Sequence, residues 1–342
     1  MKKIGFTRLA AILTLGLSAQ AVVAQDFTLK FQSSDPAGSP TFQIQQTWAS
    51  SIATITGGRV ELELLPVDAV VGYSETQDAV AAGILDGHIT DMSYWAGKDA
   101  AFSLLGNPVG AWSSPDEMLR FFEYGGGTEL ANEIMEPYGV HMVGAITHGL
   151  EAFASRVPLD GVDDLQGLKM RAPEGLVQQI FAAAGAAPVN LPFSEVFTSL
   201  DKGVIDAADA TVFSGNQEAG LNDVALHPVY PGFHSMPTIE ISMTKSTWDS
   251  MPADLQGIME LAVRELAFQE INQLAMKDLQ SVAEALQTEG LVIHNWSAVE
   301  RARFRKIAVG QWTSVAEKSD NAQIVYDTLV VWLEGQGLLA AE

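Results

Sequence analysis

The sequence predicts an α/β protein folded as two lobes with one long helix laid across both. Three observations lead there. Strand-like and helix-like stretches alternate from Phe27 to Tyr94 in βαβ order, the signature of a parallel α/β lobe. A helix-to-strand turn near Gly83 recurs near Gly203, as two similarly wound lobes would show. Residues 252–290 then keep a single helical stripe, long enough at 1.5 Å per residue to reach roughly 55–60 Å.

Phe27 to Ser33 alternates as a strand, and Asp35 to Pro40 is a turn rich in Gly, Pro and Ser. Thr41 to Thr56 has helical spacing and is ended by Gly57-Gly58. Arg59 to Leu65 alternates again, Ser74 to Ala82 is helical, and Ile89 to Tyr94 reads as a third strand. The echo pairs Asp78-Ala79-Val80-Ala81-Ala82-Gly83-Ile84-Leu85-Asp86-Gly87 with Ser199-Leu200-Asp201-Lys202-Gly203-Val204-Ile205-Asp206-Ala207. In both, a glycine able to turn left-handed closes a helix before two apolar residues and an Asp. Gly149 to Arg156 and Pro231 to Thr238 are the expected crossovers between lobes, with small residues able to absorb a hinge rotation. In the long stretch, Leu255, Met259, Leu266, Leu274, Val282 and Leu286 hold the apolar stripe. Leu291 to His294 returns as a strand, and Ala298 to Glu317 and Ala322 to Leu338 are terminal helices.

The first residues are expected to be a leader. Lys2, Lys3 and Arg8 form a basic start, Leu9 to Ala21 is mostly apolar, and Val22-Val23-Ala24 supplies small residues for cleavage after Ala24. The apolar run is too short to cross a bilayer comfortably. There is no cysteine, which excludes disulfides, thiolate chemistry and lipid attachment to cysteine. This pattern points to the periplasm. The chain carries 19 Lys+Arg against 42 Asp+Glu, a net charge of -23, and losing the leader would remove three more cations. Such a charge argues against nucleic acid and anionic membranes. At 47% hydrophobic residues the chain has material for proper cores.

Catalytic motifs are sparse. His88, His141, His148, His227, His234 and His294 form no zinc-type spacing, and there is no nucleophile elbow or phosphate-cradling glycine loop. Ser199-Leu200-Asp201-Lys202 has the Ser-x-x-Lys shape but no Lys-Thr-Gly accompanies it. A secreted hydrolase or lyase would have to use Asp209 with His234. Binding residues stand out more. Gly167-Leu168-Lys169-Met170-Arg171-Ala172-Pro173 reads as a short strand stopped by Pro173, with Arg171 at its mouth. A guanidinium there can clasp a carboxylate through two parallel hydrogen bonds, or simply pair with Asp163 or Asp164 on the surface. Tyr94-Trp95-Ala96-Gly97-Lys98 follows the third strand, and strand C-termini of open α/β sheets face ligand crevices. Tyr94 offers a hydroxyl and Trp95 a wall, unless both are core aromatics. Phe213 and Phe233 are further candidate walls, and Glu151, Asp209 and His234 add polar capacity.

Taken together, Gly167 to Pro173, Gly203-Val204-Ile205-Asp206-Ala207, Tyr94 to Lys98 and Tyr230-Pro231-Gly232-Phe233 resemble the extracytoplasmic solute-binding proteins of TRAP transporters, the DctP type. The likeness runs along nearly all of the mature chain and is strongest to the branch that binds 2-oxo acids and other monocarboxylates. It implies a two-lobed periplasmic binding protein fold, type II-like, that performs no chemistry. Lobe I would comprise residues 25–150 plus about 237–270, lobe II 151–236 plus about 271–316, and 317–342 a C-terminal helix. Arg171 would grip the carboxylate of a small organic acid in the cleft, beside Tyr94 and Trp95, and the closed complex would dock on the membrane permease. A ligand-presenting partner of a sensor would need the same cleft. The chain departs from the family pattern at Asp209-Ala210, where a Glu and a larger residue are usual. It also has Phe233-His234-Ser235-Met236 and Leu150-Glu151 where metal-bridged members supply a Glu and a Gln. These changes imply no obligatory metal or cofactor, and a ligand larger or more polar than pyruvate, bearing a cationic or hydroxyl group. The resemblance implies that relatives in this branch can pair through an extended C-terminal helix; Ala322 to Leu338 could serve so or pack on its own lobe, which leaves monomer and homodimer both open.

Overall fold

A computed structural model describes residues 26–339 other than 174 and 192; the expected leader lies outside the described residues. Strands β1 (Phe27–Ser33), β2 (Val60–Leu65), β3 (Gly87–Asp91), β4 (Val140–Ile146) and β9 (Ile239–Thr244) form one sheet in the order β2-β1-β3-β9-β4. Strands β5 (Ala152–Ser155), β6 (Lys169–Arg171), β7 (Ala187–Val189) and β8 (Ala207–Thr211) form the other, in the order β5-β8-β6-β7. The expected α/β class and two-lobed architecture are present. The sheets are mixed, not purely parallel: β9 runs antiparallel to β3 and β4, and β5 antiparallel to β8. These are the two strands that enter each sheet from the opposite lobe, so they arrive in the opposite direction to the βαβ strands.

The sequence echo is a structural repeat. Gly83 and Gly203 adopt φ of 69° and 68°. The amides of Ile84 and Val204 donate back to Ala79 and Ser199 at 2.8 and 2.9 Å. The amides of Asp86 and Asp206 then donate to Lys30 of β1 and Lys169 of β6, at 2.9 and 2.7 Å. Each lobe therefore closes a helix with a left-handed glycine and hands the chain straight to its central strand. By this correspondence β3 and β8 are equivalent strands, and the residues just beyond both face the same gap.

The first helix, Pro40–Ile55, starts where sequence dictates: Ser39 accepts from the Phe42 amide and Pro40 sits where no amide is needed. Its buried face, Phe42, Ile44, Trp48 and Ile52, packs on β1 and β2 and on the long helix, Ala253–Ala285. That helix has 33 residues, about 50 Å of rise. Trp48 Nε1 donates to the Ala262 carbonyl at 2.8 Å in the first lobe, and Asp278 accepts from the Ser214 amide at 2.8 Å in the second. One rigid rod is thus tied to both lobes. Leu291 to His294 is irregular but runs along 226–230: Val292 donates to Leu226, His294 to Pro228, and Tyr230 back to His294, each at 2.8 Å.

Two differences from the sequence reading bear on function. The third strand ends at Asp91 instead of continuing to Tyr94, because Asp91 accepts from the Ser93 amide at 2.7 Å and caps a short 3-10 turn over Met92–Trp95. The helix Ala298–Ala316, assigned from sequence to the second lobe, touches both: it packs on Leu176–Ala183 there and on Ala101–Gly106 of the first. The last helix, Asp320–Gly335, lies against that bridging helix and the first lobe, where Ser319 and Asn321 donate to Asp99 at 2.6 and 2.7 Å.

Candidate functional site

Three connections pass between the lobes: residues 147–151, 225–238, and the long helix with the segment after it. The first two are laced together. The Glu151 amide donates to the Ser235 carbonyl at 2.9 Å, and Phe153 and Val229 exchange amide hydrogen bonds at 3.1 and 2.8 Å. Gly232 lies so near Glu151 that a Cβ added to it would fall 1.7 Å from the Glu151 carbonyl oxygen. Arg301, on the bridging helix, secures the same crossing by donating to the carbonyls of Pro231, Gly232 and Trp296.

Above this floor lies a cleft between the sheets. Its two adjoining parts, about 600 and 450 Å³, share Asp91, Tyr94, Glu151, Arg171, Ala210 and Pro237 in their walls. The shared residues come from the ends of β3, β6 and β8 and from the crossovers, as expected where parallel strands end opposite a gap.

Arg171 is held from behind. Its Nε donates to the Leu191 carbonyl at 3.1 Å and one terminal nitrogen to the Asp209 carbonyl at 2.6 Å. The surface alternative fails, because Asp163 pairs with Arg303 at 2.7 Å and Asp164 caps the amides of Asp160 and Gly161. None of the ion pairs among the described residues involves Arg171. Two backbone carbonyls thus aim a guanidinium into the cleft and leave further N–H groups for a ligand.

Tyr94 is 41% exposed at the cleft, its ring set edge-on to Tyr73 at 4.8 Å. Glu151 and Asp209 face each other across the crossover and β8. Asp209 is 1% exposed; its Oδ2 accepts from Ser235 and its Oδ1 has no partner. Burial, then the facing Asp209, pushes the Glu151 carboxyl well above the usual range. Burial also raises Asp91 to about 6, against the lowering pull of its Ser93 hydrogen bond. His234 stands behind Asp209, its Nδ1 accepting from the Ser235 amide and lying 3.7 Å from Asp209 Oδ1. Burial lowers its pKa, so the ring is neutral. Single atoms of Glu151, Asp209 and His234 lie within 4.8 Å of one another, so this trio could also hold a metal ion.

Three residues expected to wall the ligand do not. Trp95 is 1% exposed, stacks on His88, and donates its Nε1 to Glu240 inside the first lobe. The early end of β3 turns it inward and Tyr94 outward. Phe213 is buried against Tyr230 beside the long helix, and Phe233 stacks on Trp296 with ring centroids 3.7 Å apart. All three are structural aromatics. Sequence reasoning missed Asp91, Tyr73 and Arg301. Asp91 carried a usable signal, since it ends a strand that faces the crevice. Arg301 carried none, because its target carbonyls come from a segment some seventy residues earlier. A third charged group also went unnoticed: His148, on the first crossover, pairs with Glu270 of the long helix at 2.6 Å and lies 3.8 Å from Asp35.

Residues 31–319 match the family described as bacterial extracellular solute-binding protein, family 7, DctP. A monocarboxylate 2-oxoacid-binding periplasmic protein of Nostoc is 29% identical over 241 residues, which span 70% of this chain and 65% of that protein. Among solved structures, a TRAP periplasmic solute-binding protein from Rhodobacter sphaeroides, in an apo open form, is 54% identical with TM-score 0.83, covering 92% of this chain and 100% of that one. Another from Pseudoalteromonas atlantica, with bound sodium and pyruvate, shares the fold at TM-score 0.78 and 23% identity, covering 92% of this chain and 95% of that one.

Proposed function

The chain belongs to the DctP family of bacterial extracellular solute-binding proteins, which bind solutes and are not enzymes, and from that premise we propose that it captures a small organic acid in the periplasm by an arginine–carboxylate clamp and delivers it to a TRAP membrane permease. One observation carries the reading: the Arg171 guanidinium, braced by the carbonyls of Leu191 and Asp209, projects into the cleft without a carboxylate partner among the described residues. A charge in that position favours an anion, and the fork geometry selects a carboxylate. Tyr94 and Asp91 line the first-lobe side of the same space and Arg171 the second, so a ligand touching both sides favours closure. Closure is the signal a permease can read. The relatives' names support this class of solute: one binds monocarboxylate 2-oxoacids and another was solved with pyruvate.

Mass spectrometry of the solute that copurifies with the protein, followed by thermal-shift titration of the acid so identified, tests the proposal. A carboxylate that raises the melting temperature of the native protein and not of Arg171→Ala is the expected result. A copurified solute without a carboxyl group, or an unchanged response in the variant, overturns it.

A further inference from the structure

The cleft is more acidic than a carboxylate binder requires. Among the described residues, Asp91, Glu151 and Asp209 line its larger part, facing Arg171 and the exposed Lys318 at its rim, while the charged His148 answers Asp91 from the adjoining part. Two of those acids, Glu151 and Asp209, are set against each other with a neutral imidazole behind them. One buried oxygen that lines this spot, Asp209 Oδ1, accepts no hydrogen bond from a donor group of the protein. A pair of carboxylates in contact must either share a proton, as the raised Glu151 carboxyl does here, or take on a positive charge from elsewhere. Arg171 pulls the Glu151 carboxyl downward through space, but burial and the facing Asp209 outweigh it, and its hydrogen bond goes to the Asp209 carbonyl and not to the carboxylate.

We propose that the solute itself brings that charge: it is a zwitterion, an amino acid or N-methylated amino acid, with its carboxylate on Arg171 and its ammonium group on Glu151 and Asp209. This rests on the arginine–carboxylate reading above. The geometry suits such a ligand. The guanidinium and the acid pair meet at one residue, since Asp209 gives its carbonyl to Arg171 and its side chain to the acid pair. Opposite charges on a compact ligand would therefore reach both. Tyr94 and Tyr73 line the same wall, and aromatic faces attract alkylammonium groups. Ala210 lines the same space with only a methyl group, which leaves room for a substituent. A hard metal ion is the competing carrier of positive charge, but it seeks six to eight oxygens. Here the trio offers one neutral nitrogen, and one Asp209 oxygen is already taken by Ser235.

The test is calorimetric titration of the full chain with pyruvate, lactate, alanine, β-alanine and glycine betaine, each in EDTA and again in calcium. In EDTA, an ammonium-bearing acid is expected to bind at least tenfold more tightly than pyruvate or lactate. Glu151→Gln should weaken that binding about thirtyfold or more, because the ammonium group loses the carboxyl that would give up its proton to pair with it. Pyruvate or lactate binding as tightly as the zwitterions in EDTA overturns the inference, and so does binding that appears only with calcium. In either case loss of that binding in Arg171→Ala still upholds the carboxylate clamp. Binding of any probe that is indifferent to Arg171→Ala overturns the clamp and this inference together.

Discussion

Replacing Arg171 separates a clamp from a bystander most sharply. Arg171→Ala deletes the one guanidinium that faces the shared part of the cleft. A charged hydrogen-bonded pair shielded from water is worth about 2–5 kcal/mol when one partner is removed. At 1.4 kcal/mol per factor of ten, that predicts a loss of roughly thirtyfold to several thousandfold in affinity. The fold should tolerate the change. The two carbonyls released, of Leu191 and Asp209, border a wet cleft where water can replace the lost donors. A stability loss of about 1 kcal/mol is expected, the ordinary net worth of such bonds. Arg171→Lys sharpens the test. A lysine keeps the charge but cannot hold two carbonyls and a carboxylate in one plane, so affinity should fall by an intermediate amount, about tenfold or more. Isothermal titration gives the affinities and denaturant melts give the stability. If Arg171→Lys binds as tightly as the native protein, the planar fork is not what selects the ligand. If Arg171→Ala loses less than about threefold, the clamp itself is refuted.

Asp91 gives a pH signature. Its folded pKa is about 6 against an ordinary 3.8, so the folded state holds its proton more tightly. The resulting stability is fully present below about 3.8 and is lost as pH rises through 6, up to about 3 kcal/mol. Asp91→Asn, which keeps an acceptor for the Ser93 amide, should therefore melt higher than the ligand-free native protein at neutral pH, with the gap closing towards pH 4; equal melting curves at neutral pH would count against a strained carboxylate there. At the hinge, burial disfavours a charged His148, but Asp35 and Glu270 outweigh it and hold its pKa at about 9. That contribution is present below about 6.5 and lost as pH rises through 9, and Glu270→Gln should move the NMR titration midpoint of His148 down towards 6.5. Gly232→Ala should destabilise by at least about 2 kcal/mol, because the clash falls on the Glu151 backbone and not on a flexible side chain; a denaturant midpoint unchanged by the substitution would mean the crossovers are not locked.

Much of the fold could be read from local pattern. The Ser39-Pro40 start, the Gly57-Gly58 stop and the paired turns at Gly83 and Gly203 are decided by residues within a few positions of each other. Arg171 was legible because alternation along a three-residue strand turns Met170 into the core and Arg171 out of it, and Pro173 ends the run. Aromatics were not legible. Tyr94, Trp95, Phe213 and Phe233 are alike in sequence terms, and which of them meets a ligand depends on where each backbone segment lands in space.

The strongly negative charge, the absence of cysteine and the repeat of one α/β turn are properties the amino-acid order settles alone, since each follows from composition or from contacts inside a short stretch. Tertiary structure decided the rest. The meeting of Trp95 with Glu240 buried one aromatic of the turn after β3 and left its neighbour Tyr94 at the cleft. Bringing residue 151 to residues 209 and 235 set two carboxylates face to face. Those meetings join parts of the chain more than fifty residues apart, and no local rule of spacing encodes the charge that such distant neighbours impose on one another.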